Sequence, residues 1–264
     1  MLKQKFYETT SFKYSILTLY SHSYRLLLCG IVLLIAAALM SAPSYAGSTD
    51  VNVKIAQRDF MRVMLSAEYG GGSQFANSIK KYDKTVRFAI INHAKLDRRP
   101  AVRSFVTALP KKIRGLKASV VSNPDAANFR IHVVDKRQYA RVIRKEIYKD
   151  KRAKVQGQCF VRVLPGKKGI HSTDVVIVSD RDERTFNRCL VEEVLQGLGP
   201  LADRGHKGYS VFNSASQHSS FTMHDRVLLS ALYDPRIKPG MSKAQVKNVI
   251  SKVIHDCIAR LHSS

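Results

Sequence analysis

Cys189 to Gly199, CLVEEVLQGLG, decides how the rest of the chain is read. It is the end of a helix that runs from Arg184 to Leu198 and is stopped by Gly199-Pro200. Glu192 and Gln196 stand four residues apart, so their side chains share one helix face. Glu193 stands beside the first of them, and an apolar residue and a glycine close the stretch.

Two polar side chains at that spacing can grip one metal ion. Zinc peptidases use His-Glu-x-x-His there, with the Glu as base toward a metal-bound water. In this chain Glu192 and Gln196 hold the ligand places and Glu193 holds the base place. Gly199 follows at the step used by the longer His-Glu-x-x-His-x-x-Gly-x-x-His form, which puts Ala202, with no donor, at the third ligand place. Zinc prefers imidazole and thiolate, and calcium or magnesium wants six or more oxygens. Asp203 and His206 lie just downstream and complete the weak candidate set Glu192, Gln196, Asp203 and His206. No metal and no other cofactor is expected. The adjacent acids Glu193 and Glu192 remain candidates for acid–base work if burial raises a pKa. The alternative is that Glu193 bonds neighbouring backbone or an arginine while Glu192 faces solvent.

Working outward, Val51–Tyr69 has helical apolar spacing and Gly70-Gly71-Gly72-Ser73 reads as a linker. Thr85–Ile91 is a strand run. A helix opens at Arg99-Pro100 and is closed by Pro110. Phe129–Val134, Cys159–Leu164 and Val175–Val178 are further strands, the last two flanking a turn at Pro165–Gly169. The charged segment Asp135–Lys154 lies between strands. Leu201–Phe221 is irregular, with Tyr209–Phe212 as a short strand candidate. Met223–Tyr233 is a helix, and Ser242–Leu261 is one last amphipathic helix with Ser242 as N-cap. The order predicts an α+β domain with one mixed sheet.

Leu26–Met40 is a 15-residue apolar run behind Arg25, followed by Ser44 and Ala46 at small-residue cleavage positions. This reads as a secretory signal peptide over 1–46, with an uncleaved membrane anchor as the alternative. The expected organisation is signal peptide 1–46, helical appendage and glycine-rich linker 47–80, and a main domain 81–264, periplasmic or secreted and without a transmembrane span after cleavage. Loss of 1–46 takes the net charge from +24 to +21. Such a balance suits anionic surfaces, and export argues against nucleic acid. The basic residues Arg137, Arg141, Arg144, Lys145, Lys149, Lys151, Arg152 and Lys154 concentrate in one segment, a patch for headgroup phosphates or a solvated face. Three cysteines remain after cleavage, and Cys159 with Cys189 is the favoured disulfide.

The stretch Cys189–Gly199 resembles a bacterial exported family of unknown function, number 2927 among such domains. So do Tyr209-Ser210-Val211-Phe212-Asn213, His224–Pro235 (HDRVLLSALYDP) and Lys238-Pro239-Gly240-Met241-Ser242. The resemblance spans roughly residues 85 to 250. The family is similar in layout to metzincin peptidases and typically carries the Glu-Glu-x-x-Gln form. It implies a zincin-like, metzincin-type mixed sheet with a central active-site-type helix and C-terminal helices. Met223 falls where a metzincin keeps a methionine beneath its metal. The expected role is binding, in a cleft lined by Glu192, Glu193 and Gln196 that takes a peptide or protein strand along a sheet edge. A hydrolase with Glu193 as base and an envelope-surface protein acting through the basic segment are the alternatives.

Overall fold

The computed structural model describes residues 51–66, 77–166 and 169–262; the apolar run of 1–46, the glycine-rich linker and Lys167-Lys168 lie outside the described residues. Five strands form one sheet: β1 (Val86–Asn92), β2 (Ala118–Val120), β3 (Phe129–Val134), β4 (Cys159–Gly166) and β5 (Gly169–Val178). Their order is β2-β1-β3-β5-β4. The pairings β1–β2, β1–β3 and β3–β5 are parallel, and β4 lies antiparallel on β5 as an edge. The α+β class and the mixed sheet are as expected. β2 was not foreseen, because three residues are too few for alternation to register. Pro165 sits at a register shift near the end of β4, the kind of edge position where a missing N–H is tolerated.

Seven α-helices are described: α1 (Val53–Met64), α2 (Arg99–Lys112), α3 (Lys136–Val142), α4 (Glu183–Gln196), α5 (Met223–Leu232), α6 (Lys243–Lys247) and α7 (Ile250–His262). A π-helical turn, Ile143–Tyr148, continues α3. The sheet is buried on both faces, as parallel strands usually are, and so its strands read as continuous apolar runs. Along β5, Val175 and Ile177 join Phe88, Phe129 and Ile131 in the main core with α1, α2, α4, α5 and α7. Val176 and Val178 point the other way and join Val134, Tyr139, Val142, Ile143 and Ile147 under α3 and the π turn. The helix foreseen within 47–80 buries Ala56, Phe60, Val63 and Met64 in that same main core, within the compact unit 50–264.

Several boundaries differ from expectation. Pro110 lies inside α2 and does not close it; near a C-terminus a proline removes only a late intrahelical bond. Tyr209–Phe212 forms no strand, and the segment folds instead as a turn with an isolated bridge between Arg204 and Asn213. The last helix is two. Ser242 caps α6 through a full capping box with Gln245. The chain then breaks near Asn248, and Val246 and Ile250 both still face the core.

The site helix α4 is fixed at both ends. Asp182 caps it by accepting from the Thr185 N–H at 2.9 Å. Past its end, Gly199 adopts φ +139°, and a Cβ there would meet Lys80 O at 2.2 Å, so only glycine serves. Cys159 and Cys189 are bonded, tying edge strand β4 to α4. The remaining described thiol, Cys257, is buried, and burial pushes it up to about 11.

The disulfide closes a 30-residue separation. Replacing both Cys159 and Cys189 by alanine is expected to lower unfolding free energy by about 3–4 kcal/mol, measured by urea denaturation. The reduced wild-type chain should match the variant.

Candidate functional site

The polar residues of α4 are brought together as their spacing requires, and Asp203 joins them. Gln196 donates from Nε2 to Asp203 Oδ1. Glu192 pairs with Arg188 one turn earlier, Nε to Oε2 3.4 Å, with 13 % of its side chain exposed. Burial and the neighbouring Asp203 push the Glu192 carboxyl up to about 7, against the pull of Arg188. Glu193 is 8 % exposed. Burial, then Glu192 and Asp203, raise its carboxyl well above the usual carboxylate range. Glu192, Glu193 and Asp203 thus form a largely buried group in which full ionisation is disfavoured.

His206 belongs to a different cluster. Its N–H donates to Asp59 Oδ2 at 2.8 Å, and its ring stacks on Tyr209. Asp59 Oδ2 also lies 3.1 Å from His224 Nε2. Burial works to raise the Asp59 carboxyl, but the bonds from His224 and His206 hold it below its ordinary value. Beside it, Asp225 accepts from Ser210 Oγ (2.7 Å), Val211 N–H (3.0 Å) and Thr222 Oγ1 (2.6 Å). These bonds pin the irregular segment 204–222 onto α5 and give these polar residues a structural role. Ala202 is buried, and Met223, half-buried, opens α5.

Gln196 and Asp203 satisfy one another, Glu192 is engaged by Arg188, and Ala202 offers nothing. Among the described residues, one group brings three metal-ligating atoms into a tight triangle, and it lies elsewhere: His93, His132 and Glu146. None of the three was singled out from the sequence. The available signal was His132 in the strand FRIHVV, a polar residue at an alternating position, but its partners come from other elements and the register that joins them is not local.

The basic segment is displayed as a face. Arg137, Arg141, Lys145, Lys149, Lys151, Arg152 and Lys154 are exposed, and Tyr148 with them. Arg144 is half-buried and donates from Nε to Ala153 O at 2.9 Å. A cavity of about 530 Å³ lies away from α4, at the amino ends of β1 and β3, lined by Tyr82, Lys84, Arg87, Asn128 and His171.

Over residues 54–252 the chain matches the family described as a protein of unknown function (DUF2927). The match covers most of the chain, which belongs to that family. No curated protein matches it.

A carboxyl raised by folding binds protons that the unfolded chain has released, so stability falls as pH rises between the two pKa values. For Glu192 that window runs from about 4.5 to about 7. Glu192→Gln should leave stability unchanged at pH 4 and raise it at pH 8, by about 3 kcal/mol at most, in urea titrations at both pH values.

Proposed function

We propose that this member of the family is an exported, periplasmic or secreted binding protein, built on a zincin-like domain whose central helix carries no competent zinc set. The observation that carries this reading is that the side chains in the ligand places of α4 are satisfied by protein partners. Gln196 is bonded to Asp203, and Glu192 is paired with Arg188. Support for the zincin-like layout comes from the resemblance of Cys189–Ser242 and from α4 packed beneath a mixed sheet with one antiparallel edge. Support for export comes from the apolar run with its small-residue site and from the disulfide, which suits an oxidising compartment. Among the described residues no helix is long and apolar enough to cross a membrane.

The ligand class favoured by this arrangement is an extended peptide. β4 is a sheet edge, and its outer N–H and C=O groups can pair with an added strand. The disulfide holds that edge beside α4, the helix that carries Glu192 and Glu193.

A specific observation favours a second role for the same chain. Eight of the nine basic residues of the charged segment Asp135–Lys154 are exposed, which suits an anionic envelope surface.

The deciding experiment follows labelled, unfolded casein with the wild-type chain and with Glu193→Gln. The expected result is binding by both, seen as raised fluorescence anisotropy, and cleavage by neither. Cleavage by the wild type that drops by orders of magnitude in Glu193→Gln would establish the hydrolase instead. Binding to vesicles of anionic phospholipid through the basic face should fall steeply as salt rises; salt-independent binding would remove that face from the account.

A further inference from the structure

On the face of the sheet turned away from α4, two histidines and a glutamate converge. His93 Nε2 lies 3.3 Å from His132 Nδ1. Glu146 Oε2 lies 3.6 Å from each of those nitrogens. The last two separations are longer than hydrogen bonds, yet the carboxylate oxygen sits equally far from both rings. A tetrahedral ion bound at about 2.0–2.1 Å holds its ligand atoms about 3.3–3.4 Å apart. The triangle already has nearly that size.

Three independent parts of the fold build it. His132 is on β3, whose even-numbered side chains leave the main core. His93 directly follows β1, and its N–H donates to Val133 O at 2.8 Å, extending the ladder so that the two rings stack. Both stand toward the carboxyl ends of parallel strands, where open sheets of this kind hold their ligands. Glu146 comes from the π-helical turn, a local widening that recurs at functional sites. Here Ile143 and Ile147 are buried in the small core, while Glu146 reaches the histidines.

The second nitrogen of His132 is also provided for. Its Nε2 lies 3.9 Å from Asp174 Oδ1. Asp174 is in turn held by Arg130, Nε to Oδ1 2.6 Å and Nη2 to Oδ2 3.1 Å. At 3.9 Å the contact between Asp174 and His132 is a charge contact and not a hydrogen bond, placed where a carboxylate commonly backs a metal-ligating imidazole. Exposure is graded across the triangle: 5 % for the His132 side chain, 21 % for His93 and 38 % for Glu146. The floor is buried and the mouth is exposed.

We propose that His93 Nε2, His132 Nδ1 and Glu146 Oε2 bind a divalent transition metal of the zinc class, with the fourth position open to water or an anionic ligand. Two imidazoles with one carboxylate select such an ion over calcium or magnesium, which need more oxygen donors. Asp174 is a positioning residue for His132. This site is separate from α4 and does not depend on the peptide-binding role.

The test is a titration of the untagged full-length chain, stripped with chelator and exchanged into chelator-free buffer, with Zn(II) by calorimetry and with Co(II) by visible absorption. One equivalent of Zn(II), and Co(II) bands of a four-coordinate ion, are expected. His93→Ala and Glu146→Gln, at partly exposed positions, should each weaken binding by more than about tenfold, and Asp174→Asn by about tenfold. Circular dichroism on each variant confirms that the fold is kept. Glu192→Ala should bind metal like the wild type. The proposal is overturned if no stoichiometric binding occurs, if the folded His93→Ala/Glu146→Gln double variant binds as tightly as the wild type, or if Glu192→Ala abolishes binding.

Discussion

The end of α4 is pressed so closely on the sheet that no side chain fits between them. A Cβ at Gly197 would stand 2.5 Å from the Phe129 ring and 2.7 Å from Thr173 Cγ2. Close approach buries helix-end carbonyls that have no intrahelical partner, and leaving one unsatisfied costs about 1–3 kcal/mol. The fold supplies partners for the two carbonyls that follow the helix. Thr173 Oγ1 donates to Gly197 O at 3.0 Å, and the Tyr233 hydroxyl donates to Leu198 O at 3.0 Å. The Tyr82 hydroxyl stands 2.9 Å from Thr173 Oγ1 and 2.8 Å from Asn128 O. Burial raises Tyr82 and Tyr233 far above their ordinary range, so both stay protonated donors. This junction sets the height of α4 over the sheet. The disulfide to β4 sets its lateral position, and together they fix where Glu192 and Glu193 stand.

Much of this was legible in sequence where the signal was local. Helical spacing and the Gly199-Pro200 stop located α4, and Ser242 announced an N-cap, which the structure completes as a capping box with Gln245. Of the three cysteines after residue 46, Cys159 in a strand run and Cys189 in the helix were the favoured pair, and they are bonded. What failed to show was of two kinds. Three residues of β2 are below the length at which a period can be read, and the break near Asn248 leaves the apolar spacing of 242–261 intact. The other kind depends on register. His93 and His132 become neighbours only because β1 and β3 are parallel and paired Ile91 to His132. Glu146 reaches them only through a π turn. None of these is written in a window of a few residues.

The two polar clusters solve the problem of buried polarity in opposite ways. At α4, three carboxyls share one region, and repulsion is relieved by protons and by Arg188, so the cluster lowers its own charge. On the other face, the deeper ligand, His132, is backed by a carboxylate that Arg130 keeps in place, while Glu146 stays near solvent. That arrangement brings three ligand-type atoms together within 4.8 Å of one another. A group that neutralises itself is suited to donate hydrogen bonds to a bound chain. A group that gathers ligand-type atoms in this way is suited to a cation.

Charge placement links the second cluster to the basic face. Between Lys136 and Lys149, Glu146 is the one acid among six lysines and arginines. Had it pointed outward, it would have broken the positive field of α3 and the π turn. Turned toward His93 and His132, it leaves the outer face with basic side chains and Tyr148. An anionic partner drawn to that face by its charge would arrive beside the open mouth of the histidine triangle. The helical segment that covers the smaller core thus presents one surface for association and, a turn away, the side chain that completes a coordination site.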